Sequence, residues 1–218
     1  MNKIIGCAVG AVMLFGASVC NAAVLNFSSI PGSPSIGSGS YTGSMTWTYL
    51  GSGAGSLSVS LTNTSPAANG GYMTGFAFNT VGGLTMALTS GRAGFTFISP
   101  VSASPFEPFD VGAALGGNWL GGGNPTAGIG VGVTDTFVFG VSGAHSRLST
   151  LSEVSFFDLD ASGQYRFAAR FRGFNDGSSA KVVGEFTPVP IPVPLAIAAA
   201  GLLSVVAVRR RNSARVHG

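Results

Sequence analysis

Charged side chains are scarce in this sequence, since Asp, Glu, Lys and Arg together make up only 9% of its 218 residues. That scarcity excludes a highly charged disordered chain. The formal net charge of +3 comes from the two ends, because residues 23–187 hold six basic and eight acidic side chains. This body therefore has a net charge of −2, which excludes the basic surface expected of a nucleic-acid-binding domain.

Cysteine is equally scarce, and both copies, Cys7 and Cys20, lie within the first 22 residues. If that segment is removed on export, the mature chain has no thiol. Disulfides, thiolate metal sites and cysteine nucleophiles are then excluded together.

The residue types that catalysis needs are also few. His145 is the single histidine of the body, so a Ser-His-Asp triad would have to include it, and no Gly-x-Ser-x-Gly motif is present. A carboxylate pair for glycoside hydrolysis keeps a hydrolase as an alternative. Its candidate acids are Glu107, Asp110, Glu153 and Asp158. We expect that the protein is not an enzyme and uses no cofactor.

The first 22 residues have the pattern of a secretory signal peptide. Lys3 gives a positive start, residues 4–15 form an apolar run, and Cys-Asn-Ala at 20–22 provides small residues for cleavage. We expect a signal helix over residues 1–22, export by the Sec translocon, and cleavage by signal peptidase before Ala23. An uncleaved N-terminal anchor is the alternative.

The C-terminal part combines prolines, an apolar run and arginines. Prolines alternate with valine or isoleucine over 188–194, residues 195–208 carry no charge, and Arg209, Arg210 and Arg211 follow. A helix of these 14 residues spans about 21 Å, short of the ~30 Å hydrocarbon core. We expect a marginal transmembrane helix over residues 193–208, with the arginines as a stop-transfer signal on the cytoplasmic side. An ordinary single-pass anchor is the alternative.

This tail resembles the PEP-CTERM sorting signal of exopolysaccharide-producing Gram-negative bacteria, which is also labelled the ice-binding protein C-terminal domain. Its sorting motif, Val189, Pro190, Ile191 and Pro192, is similar to the Val-Pro-Leu-Pro variant. The resemblance covers about residues 188–212 and implies recognition and removal by an exosortase. It also implies an exported protein that passes through an inner-membrane intermediate to the cell envelope, the outer surface or the extracellular space.

Between these ends, residues 23–187 alternate apolar and hydroxyl-bearing side chains with the period of two that is typical of β-strands. Clusters of Gly, Asn, Ser and Pro separate the alternating segments. The alternation recurs in residues 45–49, 57–61, 76–78, 84–88, 95–97, 137–141, 154–159, 165–171 and 181–186. We predict one all-β domain, an antiparallel β-sandwich with a jelly roll as the alternative, between the signal helix and the membrane helix.

Residues 100–132 form the longest stretch without a strand pattern, and we expect a loop there. The stretch holds Phe106, Phe109 and Trp119 among many glycines. A long loop is usually functional or disordered, but exposed aromatic rings are unfavourable in water. These rings favour a loop packed against the sheet over a ligand-binding loop.

The best candidate for a metal site is a short acidic segment. Asp158, Asp160 and Ser162 occupy alternate positions before Gly163, as in the first half of a calcium-binding loop. The twelfth position of such a loop is Ala169 instead of a glutamate. A hairpin turn is the simpler interpretation, so we expect no metal and keep calcium as a weak alternative.

Four charged residues, Arg170, Arg172, Asp176 and Lys181, crowd one segment near the end of the body. The two arginines share one face of a predicted strand, and an Asn-Asp-Gly turn would bring Asp176 and Lys181 back towards them. An ion-paired structural hairpin is one interpretation. The other is contact with an anion or a polysaccharide, with Trp119, Arg170 and Arg172 as the candidate ligand contacts.

These patterns favour a non-enzymatic, secreted structural or adhesive protein of the cell envelope or extracellular matrix. The expected partners are the Sec translocon, signal peptidase, an exosortase, the membrane and an exopolysaccharide, but no nucleic acid. One alternative is an exopolysaccharide-binding module in which Trp47 or Trp119 stacks on sugar rings. That alternative requires exposed tryptophan rings, whereas a structural role requires buried ones.

Overall fold

The computed structural model describes residues 23–30, 39–106, 108–159 and 163–187. The expected signal helix at 1–22 and the tail at 188–218, with its expected membrane helix at 193–208, lie outside these residues. In the part that is described, no helix has the length and apolar character needed to cross a membrane.

The described residues form ten strands and a few single turns of helix. The strands are β1 (Val24–Ser29), β2 (Tyr41–Gly51), β3 (Ala54–Asn63), β4 (Gly70–Phe78), β5 (Thr85–Ser90), β6 (Phe95–Ile98), β7 (Val111–Leu115), β8 (Thr134–Ser142), β9 (Phe167–Phe174) and β10 (Ser179–Phe186). One α-helical turn, α1, spans His145–Leu148. Turns of 3₁₀ helix span Ala67–Asn69, Pro125–Ala127 and Glu153–Phe156.

The predicted all-β antiparallel class is confirmed. All ten strands hydrogen bond in a single sheet, in the order β5-β8-β3-β2-β1-β10-β9-β4-β7-β6, instead of the two separate sheets of a sandwich. We call β5, β8, β3, β2 and β1 the open half, and β10, β9, β4, β7 and β6 the covered half. Each half supplies one side of the main hydrophobic core.

The main core lies between the two halves, because the sheet curls until they face each other. Phe76 on β4 and Phe137 on β8 have ring centroids 4.8 Å apart, although five strands separate β4 and β8 in the sheet. Phe27 on β1 contacts Phe167 on β9 with centroids 4.6 Å apart. Burying such rings stabilises the fold by about 1.5–3 kcal/mol each.

The outer face of the open half is polar and uncharged. In β3, Leu57, Val59 and Leu61 are buried while the serines between them are only partly covered, which confirms the predicted alternation. The neighbouring strands β2 and β8 follow the same rule. The outward hydroxyl residues of these strands are Thr42, Ser44, Thr46, Thr48, Ser56, Ser58, Ser60, Thr62, Thr134 and Thr136.

The outer face of the covered half is buried by a second, smaller hydrophobic cluster. Its cover is the chain on both sides of β7, residues 99–106, 108–110 and 116–123, which we call the covering segment. The cluster comprises Ala77, Val101, Ala103, Phe106, Phe109, Trp119, Ala168 and Val183. The expectation that the aromatic rings of this stretch pack against the sheet is therefore confirmed.

Two local predictions were wrong. The expected loop at 100–132 contains β7, which pairs with β4 and β6 and is buried on both faces. A strand buried on both faces loses the alternation on which the prediction depended. The expected strand at 154–159 begins instead with the 3₁₀ turn at Glu153–Phe156, whose Phe156 packs on Trp47 with centroids 4.9 Å apart.

Candidate functional site

The pairing of β9 with β10 brings three basic side chains onto one face of the covered half. Ala169 and Phe171 lie in the main core, so Arg170 and Arg172 point to the opposite, outer face. Lys181 on β10 lies directly across from Arg170, and directly opposed residues share a face. We call Arg170, Arg172 and Lys181 the cation cluster.

Each member of the cation cluster holds the covering segment by a main-chain carbonyl. The Nη1 of Arg170 donates to the carbonyl of Trp119, and Nη1 of Arg172 donates to the carbonyl of Gly122 at 3.0 Å. The Nζ of Lys181 donates to the carbonyl of Ser104. The three predicted ligand contacts, Trp119, Arg170 and Arg172, therefore do lie together, although Trp119 takes part through its main chain.

One glycine shows how closely the covering segment approaches the cluster. A Cβ atom at Gly121 would lie 3.2 Å from the guanidinium carbon of Arg172, and the residue has a φ of +124°. Both the short distance and the positive φ require glycine. The main chain at this point thus rests directly on the arginine.

The cation cluster has no carboxylate partner among the described residues. Within them, the ion pair that forms is Arg92–Asp135, at 2.7 Å. The expected pairing of Asp176 with the cluster is wrong, because this carboxylate accepts the Ser178 N–H at 2.9 Å inside its own turn. The hydrogen bonds from Ser178 lower the pKa of Asp176. Glu107 lies outside the described residues.

Burial and mutual repulsion act on the cluster. Desolvation, followed by the charge of Arg172, lowers the pKa of Arg170. Desolvation, followed by the charge of Arg170, lowers the pKa of Lys181. Both causes disfavour the charged forms. Three positive charges therefore lie close together, and no carboxylate among the described residues balances them.

Two buried N–H donors beside the cluster lack acceptors. Arg170 is 9% exposed and Trp119 is 4% exposed. Neither Nε of Arg170 nor Nε1 of Trp119 has a hydrogen-bond partner in the described structure. A buried donor without an acceptor costs about 1–3 kcal/mol. Both donors are enclosed, so a ligand on the surface would meet the partly exposed Arg172 and Lys181 instead.

Two hollows are lined by residues that neighbour members of the cluster in the sheet or bond to them. Tyr72 on β4 lies directly across from Arg172, is half-buried, and lines a groove of about 390 Å³. Trp119 lines a cavity of about 200 Å³ on the covering segment. Nothing in the sequence pattern singles out Tyr72, because only the register of β4 against β9 places it opposite an arginine.

The tryptophan rings do not form a stacking platform. Trp47 and Trp119 are 7% and 4% exposed, so neither offers an open face to a sugar. Their burial is what a structural role requires. A carbohydrate site on this domain would need other aromatic residues, of which Tyr72 is the one beside the cluster.

The remaining predicted residues lie apart from the cluster and have partners of their own. His145 Nδ1 contacts the hydroxyl of Tyr49, and the carboxylate of Glu153 accepts the main-chain N–H of Trp47 at 3.3 Å. Asp110 accepts the N–H of Thr80 at 2.8 Å. These side chains serve the local fold in the structure as described.

For the weak calcium alternative, Asp158 accepts the N–H of Leu159 at 2.8 Å, while Asp160 and Ser162 lie outside the described residues. No group of three or more His, Cys, Asp or Glu in the described ranges is placed to hold a metal ion.

Comparison with known proteins adds no relative: no protein-family model, no curated protein and no solved structure matches this chain.

Proposed function

We propose that this chain is a non-enzymatic structural or adhesive protein of the cell envelope or extracellular matrix of an exopolysaccharide-producing bacterium. It is exported by the Sec translocon and sorted by its C-terminal tail, which an exosortase removes. The proposal rests on the sequence patterns of the two ends and on the structure of the domain between them.

The observation that carries the proposal is the position of β10 immediately before the proline motif. β10 ends at Phe186, and the N–H of Thr187 donates to the carbonyl of Asn26 at 2.9 Å. The proline motif begins at the next residue, Pro188. An enzyme that cuts at or after this motif would leave the last strand and its hydrogen bonds intact.

The engagement of the charged groups supports a structural role. Arg92 bridges Asp135 and the carbonyl of Ala127, and the cation cluster holds the covering segment. In both places, charged side chains hold parts of the fold together by hydrogen bonds to main-chain carbonyls.

The two facing halves of the sheet support the finer proposal of a sandwich-like domain. We infer that the halves correspond to the two layers of a β-sandwich that are joined edge to edge through β1 and β10. The antiparallel pairing of β1 with β10, in which Phe27 lies opposite Phe186 and Ser29 opposite Gly184, provides that junction.

Intact-mass measurement on protein from the native host tests the sorting proposal. We expect the wild-type host to yield a chain that lacks about 30 C-terminal residues, and an exosortase-deleted host to retain them. Replacing Pro190 and Pro192 by alanine should also prevent the loss, whereas Pro125→Ala, in the body, should not. An identical, uncut mass in both hosts would leave an ordinary membrane anchor instead.

A second candidate function is that of an exopolysaccharide-binding module. Two observations favour it: the partly exposed cations Arg172 and Lys181 on one face, and the half-buried Tyr72 opposite Arg172 in the sheet. A pull-down on the host's own polysaccharide tests this candidate, with the full chain as the retained species. Retention equal to that on an unmodified resin would remove it.

A further inference from the structure

We propose that the cation cluster, together with Tyr72, binds the carboxylate groups of an acidic polysaccharide. The proposal rests on the proposed function in one respect, since an envelope or matrix location places the domain among extracellular polysaccharides. The binding chemistry depends only on the described geometry of β4, β9, β10 and the covering segment.

The cluster offers donors that the fold does not use. A guanidinium group has five N–H donors, and the described hydrogen bonds of Arg170 and Arg172 to carbonyls all use Nη1. A carboxylate accepts two parallel hydrogen bonds from a guanidinium and brings the negative charge that the cluster lacks. A carboxylate at Arg172 would thus meet a guanidinium for which the described residues provide no anionic partner.

The spacing of the cations suits a repeating ligand. Lys181 lies across from Arg170, with Cβ atoms about 5 Å apart in such pairs. Arg172 lies two residues further along β9, about 7 Å away. Arg172 and Lys181 are partly exposed while Arg170 is buried between them. Successive acidic sugars could therefore engage the two exposed cations, with Arg170 adding charge from below.

Tyr72 provides the contact for the body of a sugar. Its ring lies across from Arg172 and borders the groove that Gly70, Gly71 and Gly130 also line. Ala67 and Val131 complete its lining, and the C–H groups of a sugar ring can pack against the tyrosine by dispersion. A ligand with rings and carboxylates thus fits this surface better than a free anion.

The small number of cations argues against nucleic acid as the ligand. The net charge of −2 on residues 23–187 repels every polyanion outside the cluster. Nucleic acid binds through several phosphate contacts along a basic surface, whereas the described residues place three cations together here. A neutral polysaccharide would not compensate the buried charge of Arg170. We therefore commit to a polysaccharide whose charge comes from carboxylates.

Affinity electrophoresis of the full chain, purified in a mild non-ionic detergent, tests the proposal. The native gels contain polygalacturonate, neutral dextran or no polymer. The test variant is the double substitution Arg172→Gln with Lys181→Gln, which removes two partly exposed charges and leaves Arg170 in place. The controls remove cations elsewhere in the domain. They are the single variants Arg147→Gln and Arg92→Gln and the double variant that combines them.

We expect polygalacturonate to retard the wild type and the control variants, and dextran to retard none. Because the double variant loses charge-assisted hydrogen bonds to the carboxylates, its apparent Kd should be at least about tenfold higher. Tyr72→Ala should weaken binding severalfold, and Tyr72→Phe should retain it. Urea unfolding of each variant shows that the fold is kept.

Equal weakening by the test and control double variants would overturn the proposal, because it would show a general charge effect. Retardation by dextran to the same extent would do so as well. Tighter binding of a short DNA duplex than of polygalacturonate would assign the cluster to another ligand class. The intact-mass experiment and the electrophoresis experiment test different proposals. An uncut tail together with specific retardation by polygalacturonate would reject the sorting proposal and support the binding site.

Discussion

The two halves of the sheet share one core but treat their outer faces differently. On the open half, outward positions such as Thr46, Ser58 and Thr136 carry hydroxyls and face solvent to varying degrees. On the covered half, the corresponding positions are the small or apolar Ala77, Ala168 and Val183, which lie beneath the covering segment. Side chains on the outer face thus decide which half receives a cover.

The cover is held by two kinds of interaction that the open half does not need. Phe106, Phe109 and Trp119 bury apolar area against the sheet, and the cation cluster binds the main-chain carbonyls. Loops carry peptide groups that must be hydrogen bonded when buried. The cations satisfy some of those carbonyls, so charge and apolar packing hold one segment together. On the open half, hydroxyls pair with each other instead, as Thr62 does with Thr134 at 2.7 Å.

The largest expected effect is the loss of an aromatic anchor of the cover. Phe109 is 1% exposed, and Phe109→Ala should lower the free energy of unfolding by about 3–5 kcal/mol, because it leaves a cavity in the second cluster. Urea unfolding measures the change. Thr48→Ala, on the exposed outer face of the open half, is the control and should stay within about 0.5 kcal/mol. Similar losses of unfolding free energy in both variants would contradict the view that the covered half depends on apolar packing at its outer face and the open half does not.

A smaller effect is expected where the covering segment rests on Arg172. Gly121→Ala places a Cβ against the guanidinium and imposes a φ that alanine rarely adopts, at a cost of about 1–3 kcal/mol. Hydrogen exchange should show faster exchange in residues 116–123 and little change in β3. The control is Gly82→Ala, since a Cβ there meets nothing within 4 Å. Unchanged exchange in Gly121→Ala would show that the cover does not depend on this contact.

The smallest effect is expected on the open half. The Thr62–Thr134 hydroxyl pair is exposed and opposed across β3 and β8, so its coupling energy should be about 0.2–1 kcal/mol. A double-mutant cycle with Thr62→Val and Thr134→Val measures that energy from the free energies of unfolding. The pair Thr42 and Ser44, neighbours on β2, serves as a reference without a direct bond between the two sites. A coupling above 2 kcal/mol would mean that the open half is as tightly linked as the covered one.

Much of the architecture follows from the sequence alone. The alternation in β2 and β3 predicted strands with a buried face, because a period of two places every second residue on the core side. The aromatic rings near Phe109 and Trp119 predicted a packed segment, since such rings are unfavourable in water. The clustering of Arg170 and Arg172 on one face also followed from strand periodicity.

Tertiary structure decided the rest. The position of β7 could not be predicted, because a strand buried on both faces has no alternation. The hydrogen bond of Arg170 to Trp119 depends on a segment about 50 residues away, and the position of Tyr72 opposite Arg172 depends on the register between β4 and β9. Local sequence sets which face a side chain takes, whereas long-range pairing sets which side chains meet there.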